Sequence, residues 1–445
     1  MNNKYNASLV SSVNNISIVK ILPLSIATFI AASSFIVPPV HAAGFAIQEQ
    51  SVTGLGRAFA GSAAVADDAS TIFFNPAGLT QLKYEELAVG LNYISPTSDF
   101  RDSGSKLPPA AGGSALTGGD GNDAGVNAIV PNLYYAKPLS NTVVVGLGIN
   151  APFGLSTDYN DTWKGRYHAV TSEVLTVNLN PTLSFKATDK LSLGFGLNLQ
   201  YIDVKLSQMA DLGAKFLASP QSADGKVKLR ADDWSWGYNL GLTYQIQEAT
   251  RLGIAYRSKI SHTLKGDGKL RNAAGTKMAE ESIKSNVTVP ESLSLALHHQ
   301  VNDQWAVMAD ASWTRWNRFQ NLIISSDNGT FDQNKPEKWG NTMRYGLGVD
   351  YKHSDKWTFR SGIAFDESPI SSQHRTARIA GTDRKWVSVG ASYTLKENIV
   401  VDAAYSHLFM SDPSINETNA NGYILKGKYD TDVDLLGVQV RWLFI

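Results

Sequence analysis

Strict alternation of apolar and polar residues recurs along this chain from Glu85 to Ile445. Between Glu173 and Lys186, Leu175, Val177, Leu179, Pro181, Leu183 and Phe185 fall on one face. Val174, Thr176, Asn178, Asn180, Thr182, Ser184 and Lys186 fall on the other. A period of two places successive side chains on opposite faces of a strand. About fourteen such stretches follow one another. They begin with Glu85 to Ser95, Val126 to Lys137 and Thr142 to Ala151 and end with Tyr429 to Ile445. Arg251 to Leu264, Asn286 to His299 and Gln304 to Ile323 each read as one continuous strand. The connections alternate between short turns (Ala187 to Lys190, Asn302-Asp303, His353 to Lys356) and long polar segments (Pro96 to Gly125, Ser207 to Asp233, Glu367 to Arg384). One apolar face per strand, with turns at one end and loops at the other, predicts an all-β fold: a transmembrane antiparallel barrel. A soluble all-β repeat protein is the competing reading.

Composition fits the barrel. The 445 residues hold 40 basic and 40 acidic side chains, so nothing points to nucleic acid. With 10 Trp and 17 Tyr the chain has the aromatics for membrane interfaces. Cysteine is absent, which excludes disulfides, thiol nucleophiles and Cys-based metal sites. Residues 1–42 read as a signal peptide: Lys4 and Lys20, an apolar run Ile21 to Val37, and a small-residue cleavage site Val40-His41-Ala42. The mature chain is then expected to start at Ala43. No other segment is apolar enough to cross as a helix, so a membrane crossing falls to the strands. The last strand carries Val438, Val440, Trp442 and Phe444 in phase. That resembles the aromatic C-terminal signal read by the barrel-assembly machinery, with Ile445 one residue beyond it.

Residues 43–84 do not alternate. They are rich in Ala, Gly and Ser, with Asp67-Asp68 ahead of Ile72-Phe73-Phe74 and then Asn75-Pro76-Ala77-Gly78. Asp caps helix starts and Asn-Pro favours a turn. A wide barrel needs its lumen closed, and this segment is the expected plug, leaving residues 85–445 as the barrel.

The plug carries a signature: Ala43-Gly44-Phe45, Gly54-Leu55-Gly56-Arg57-Ala58, Gly61, Ala66-Asp67-Asp68-Ala69 and Asn75-Pro76-Ala77. With Val289-Pro290-Glu291, Trp313-Thr314-Arg315-Trp316 and Trp357 to Asp366 downstream, it resembles the FadL family of outer-membrane transporters. These carry long-chain fatty acids or hydrocarbons in Gram-negative bacteria. The resemblance implies fourteen strands, an N-terminal hatch, an outer apolar groove, a tighter interior site, and sideways exit into outer-membrane lipid at a kinked strand.

Several residues take roles by that resemblance. Phe45 is expected in the tighter site, and Asn75, Pro76 and Ala77 in the hatch beside the kinked strand. The third strand should carry the kink, with Gly146 and Gly148 followed by Asn150 and Pro152, because interior Gly and Pro break a ladder. A carboxylate needs a cation in an apolar pocket. Lys335 matches a basic family position; where the family has an arginine this chain has Asp203, with Lys205 two residues on. Lys205 is therefore the second candidate, or the two pair with each other. Met209, Leu212 and Phe216 fall at helical spacing in Ser207 to Ser219 and are expected to form an apolar face of the outer groove. Trp163 to Tyr167 resembles a family motif whose role the sequence leaves open.

No Ser-His-acid constellation stands out among the eight histidines. Neither catalytic residues, a metal nor a cofactor is expected. The partners are hydrophobic small molecules, outer-membrane lipid and the assembly machinery, and a monomer is expected. A general porin is the rival within the same fold.

Overall fold

The computed structural model describes residues 44–216 and 219–445. The expected signal peptide at 1–42, and Ala43, lie outside them. Among the described residues, fourteen strands close into one antiparallel barrel. In chain order they are β1 (Glu85–Asp102), β2 (Ala128–Pro138), β3 (Val143–Asn150), β4 (Thr171–Lys186), β5 (Leu191–Asp211), β6 (Asp224–Gln247) and β7 (Thr250–Arg257). Then follow β8 (Ser292–Gln300), β9 (Trp305–Thr314), β10 (Thr342–Lys352), β11 (Trp357–Asp366), β12 (Arg384–Lys396), β13 (Ile399–Met410) and β14 (Ile424–Phe444). Each pairs with the next, and β14 returns to β1 from Glu85↔Phe444 to Asp102↔Gly427. Closure leaves no sheet edge to be satisfied in hydrocarbon.

The alternation serves the expected purpose. Leu199, Leu240, Leu295, Leu347, Ile363 and Leu436 are all exposed on the outer face, Leu347 at 59%. Such a belt is a liability in water and the requirement in lipid. Trp305, Trp357 and Trp442 stand near the short-turn end, and Trp234 and Trp236 face outward higher on β6. Inside, Asn178, Asn180, Asn198 and Asn239 are buried.

Three of the long alternating runs are interrupted, a correction to the continuous strands expected. β7 stops at Arg257 and the chain resumes as Ile260–Asn272; Lys277–Val289 stops two residues short of β8. Likewise β9 gives way to a short turn before Asn321–Ser326. Pro290 has no N–H for a ladder. At both two-residue breaks the buried parity flips: Ala255 is buried below and Ile260 and Leu264 above, Val287 and Val289 above and Ala296 below. Ile260–Asn272 pairs with the top of β6, Gly225–Asp232 against Asn272–Lys265, then Lys277–Val289 pairs with Ile260–Asn272 and with Asn321–Ser326, and together they raise the wall on the loop side.

The hatch consists of three one-turn helices, α1 (Val52–Leu55), α2 (Ser62–Val65) and α3 (Thr71–Phe74), and a tight turn, Pro76–Gln81. It reaches the wall because the wall offers glycines. A Cβ on Gly241 would lie 2.0 Å from Asn75 Oδ1, and one on Gly253 would lie 1.9 Å from the Ala63 carbonyl oxygen. Arg57 clamps it further, at 2.7 Å from both Asp67 and Asp350. The two carboxylates offset the cost of burying this guanidinium.

Candidate functional site

The first described residues run along the inside of the broken third strand. Ile47 N–H donates to Pro152 O at 2.9 Å, and Gly154 N–H donates to Phe45 O at 2.8 Å. The Gln50 side-chain amide donates to Ala151 O at 2.8 Å. This pairing projects Phe45 into an aromatic box. Its ring centroid lies 4.9 Å from Trp316, 5.8 Å from Phe153, 5.8 Å from Trp339 and 6.0 Å from Phe319. Gly44 precedes it at φ +62°, where a Cβ would meet Trp316 and Trp339 at 2.7 Å. Only glycine fits there.

β3 ends at Asn150, leaves its ladder at Ala151–Pro152–Phe153, and resumes as Gly154–Asp158 paired with β4. β2 pairs with β3 only from Leu133 to Pro138; above that, Ala128–Asn132 pairs with β1 alone. The wall is therefore notched between β2 and the broken strand. Asn150 and Pro152 stand at the notch. Gly146 and Gly148 do not: their ladder to β2 is intact, and a Cβ on either would run into Ile72 at 2.7 and 3.1 Å. They admit the hatch rather than open the wall. Asn75, Pro76 and Ala77 also sit elsewhere than expected, against Gly241 on β6 and Gly194 on β5. Asn75 donates to Ala63 O at 2.6 Å and to Leu242 O at 3.0 Å, while its Oδ1 caps Ala77 N–H at 3.1 Å. It splices hatch to wall.

Above the box lies a second apolar cluster including Ile202, Leu206, Leu229, Leu264, Ile283 and Phe331. The two clusters share Val174 and Leu322. Charge gathers at this junction. Lys335 is the cross-strand partner of Leu322. It is ion-paired with buried Glu417, which also accepts from Ala377 N–H at 3.0 Å and lies 3.4 Å from His168 Nδ1. Burial works to raise the Glu417 pKa, but Lys335 and His168 hold it well below the usual range.

Arg378 was not foreseen. Buried, it donates to Thr171 O, Ser172 Oγ and Ser207 O at 3.1–3.3 Å and to Gln208 Oε1 at 2.8 Å. All are neutral, and among the described residues it has no carboxylate in ion-pair contact. Burial pulls its pKa down to about 10 despite the fields of Glu417 and Glu337. The sequence signal was the run Arg375-Thr376-Ala377-Arg378-Ile379, where cations interrupt a small apolar stretch of a long loop. Glu337 donates nothing when ionised and accepts from Trp339 Nε1 at 3.3 Å; burial pushes its pKa up to about 7, against the pull of Lys335.

Lys205 does not join this group. It shares the outward parity of Leu197, Leu199 and Tyr201, and pairs with Glu173 at 2.8 Å. Asp203 pairs with Arg230 at 2.7 Å, not with Lys205. The outer groove is also built differently from expectation. β5 continues to Asp211, so Met209 belongs to a strand and packs against another cluster, with Tyr167 and Tyr423. Among the described residues the helix covers Leu212–Phe216; Leu212 joins the upper cluster, whereas Phe216 is 59% exposed. The ladder to β6, continuous to Asp211↔Asp224, outweighs a helical spacing of apolar residues. In the Trp163–Tyr167 motif, Trp163 is fully buried and stacks on Tyr159 at 3.9 Å, and Arg166 holds Asp224 at 2.8 Å. The motif ties loops together.

A plugged barrel with linked apolar clusters at its loop end and a notch in its wall fits a class: outer-membrane transport proteins. The profile described as "Outer membrane protein transport protein (OMPP1/FadL/TodX)" matches residues 33–444, and the chain belongs to this family. It is 32% identical over 403 residues to outer membrane protein P1 of Haemophilus influenzae (strain Rd), covering 83% of this chain and 86% of that protein. It is 31% identical over 408 residues to the long-chain fatty acid transport protein of Escherichia coli (strain K12), covering 84% and 90%. The crystal structure of a Pseudomonas aeruginosa FadL homologue superposes with a TM-score of 0.84 at 27% identity, over 90% of this chain and all of that one. The protein is thus an outer-membrane barrel of a transport family.

Proposed function

We propose that this protein carries long-chain fatty acids passively from the cell exterior into the outer membrane. The observation that carries the reading is a pair of cations, half-buried Lys335 and buried Arg378, at the junction of two apolar clusters. An acyl chain gains by lying along the clusters. Its carboxylate gains charge-assisted hydrogen bonds at the junction, which an apolar pocket alone does not provide. Phe45 fills the inner box, so arrival of a chain there displaces the N-terminal segment. Because that segment hydrogen-bonds the broken strand, displacement frees the notch, and the chain leaves sideways into lipid. The barrel works as a monomer assembled by the general barrel machinery.

The aromatic box by itself would serve neutral hydrocarbons equally, which is the second reading. A general porin is disfavoured by the docked hatch. The deciding experiment is uptake of labelled oleate against labelled hexadecane and toluene in cells lacking their own transporter. Oleate-selective rescue supports the proposal. Hydrocarbon-selective rescue replaces it with the second reading, and rescue of neither rejects both.

The Glu337 pKa gives a pH prediction. Raised to about 7, this carboxyl is neutral below that pH and becomes an anion above it, beside Lys335. Oleate affinity should therefore fall as pH rises from 6 to 8, by up to about tenfold per unit above 7 if the two anions exclude each other. Titration of the detergent-solubilised barrel at each pH checks this, and Glu337→Gln should flatten the profile.

A further inference from the structure

A cavity of about 110 Å³ lies between the hatch and the wall, below the aromatic box, lined by Phe59, Phe73, Phe74 and Phe153 among others. Two arginines face it. Arg344 has its counter-ion, Asp310, at 3.4 Å. Arg257 has none among the described residues: it donates to Asn198 Oδ1 at 2.5 Å and to the Phe73 carbonyl at 2.8 Å. Held by neutral acceptors and by the face of the Phe73 ring, 4.2 Å from its guanidinium, this cation lacks a compensating charge and favours an anion.

Arg257 also ends a row of side-chain amides. Asn178 donates to Asn198 Oδ1 at 3.0 Å and to Asn150 Oδ1 at 3.2 Å. The row thus crosses β7, β5, β4 and β3 and ends at the notch. There Asn150, only 2% exposed, has its Nδ2 without a hydrogen-bond partner. Across the notch, fully buried Asn132 has both amide atoms unpartnered. Buried amides left unsatisfied are costly and mark places where a partner belongs.

We propose that Arg257 and this amide row form a second, downstream site for the substrate carboxylate, a track that carries the head group from the cavity to the notch while the acyl chain leads into lipid. It rests on the fatty acid reading above. In the hatch-docked state the Phe73 carbonyl takes the place of the carboxylate on Arg257. The track supplies donors at every stage, so the charged end need not cross an apolar gap unassisted.

The plainer alternative is that Arg257 only ties the hatch down. Arg257→Gln separates the two, because glutamine keeps a donor for the Phe73 carbonyl but loses the charge. Uptake of oleate and of oleyl alcohol, which has the same chain and a neutral head, is compared in cells expressing each variant. Arg257→Gln should lower oleate uptake about tenfold and leave oleyl alcohol unchanged, since hydrogen bonds to a charged group are worth roughly that factor. Arg257→Lys should recover most of the loss. Asn178→Leu, at a residue whose side-chain hydrogen bonds go to Asn150 and Asn198 and not to the hatch, should give the same selective loss, and it stands in if Arg257→Gln fails to assemble. Equal loss of both substrates, or no loss in either variant, overturns the track while leaving the fatty acid reading intact. Failure of the wild type to take up oleate overturns that reading and the track together.

Discussion

Replacing Glu417 with Gln should tighten oleate binding by about tenfold. In the resting protein Glu417 already holds Lys335, so an incoming carboxylate must displace a resident one. A charged hydrogen bond contributes roughly 1.5–3 kcal/mol, and removing the competitor returns that interaction to the ligand. Glutamine keeps the acceptor for the Ala377 N–H, so the loop loses a charge rather than its shape. The measurement is displacement of a fluorescent fatty acid from the purified barrel. Weaker binding by the variant would mean that Glu417 organises the site more than it competes, and would remove Lys335 from the head-group role. Binding of a long-chain alcohol should not change.

A reversible cross-link should stop transport outright. Ala46 and Phe153 face each other in a bridge flanked by the Ile47–Pro152 and Phe45–Gly154 hydrogen bonds. That pattern makes them a non-hydrogen-bonded pair, the close kind, with geometry suited to a disulfide. The chain has no native cysteine to interfere. The Ala46→Cys, Phe153→Cys double variant should take up oleate only when reduced, with at least a tenfold loss on oxidation if release requires the segment to leave the broken strand. Each variant is its own control, because loss of the Phe153 ring is common to both redox states. Uptake indifferent to oxidation would show that the segment stays in place during transport.

The barrel was legible in the sequence because period two is enforced along the whole wall by lipid on one side. Short turns and long loops gave the strand number. What escaped was where a strand stops while apolar residues continue: Tyr256 and Ile260 are both apolar, but one faces out and the other in. A search for parity flips would have found that break. The site was half legible. Lys335 and Phe45 were reached through motifs, but Arg378 lies in a loop and meets Ser172 and Ser207 only through tertiary folding. Lys205 was misplaced because a spacing of two residues from a family position says nothing about which face a residue occupies once its strand partners are known. Gly146 and Gly148 were expected to break the ladder at the kink, yet their pairing is intact and the space they leave is filled from within.

The hatch contacts also bear on the order of assembly. Arg57 meets Asp350, 293 residues away, and Val52 N–H reaches Gln439 across 387. The first part of the plug to be synthesised therefore cannot finish docking until nearly the last strand is present. Contacts of such long range form late, because their loop-closure entropy must be met first. A ring that sealed before its plug settled would be an open pore in the cell's outer barrier.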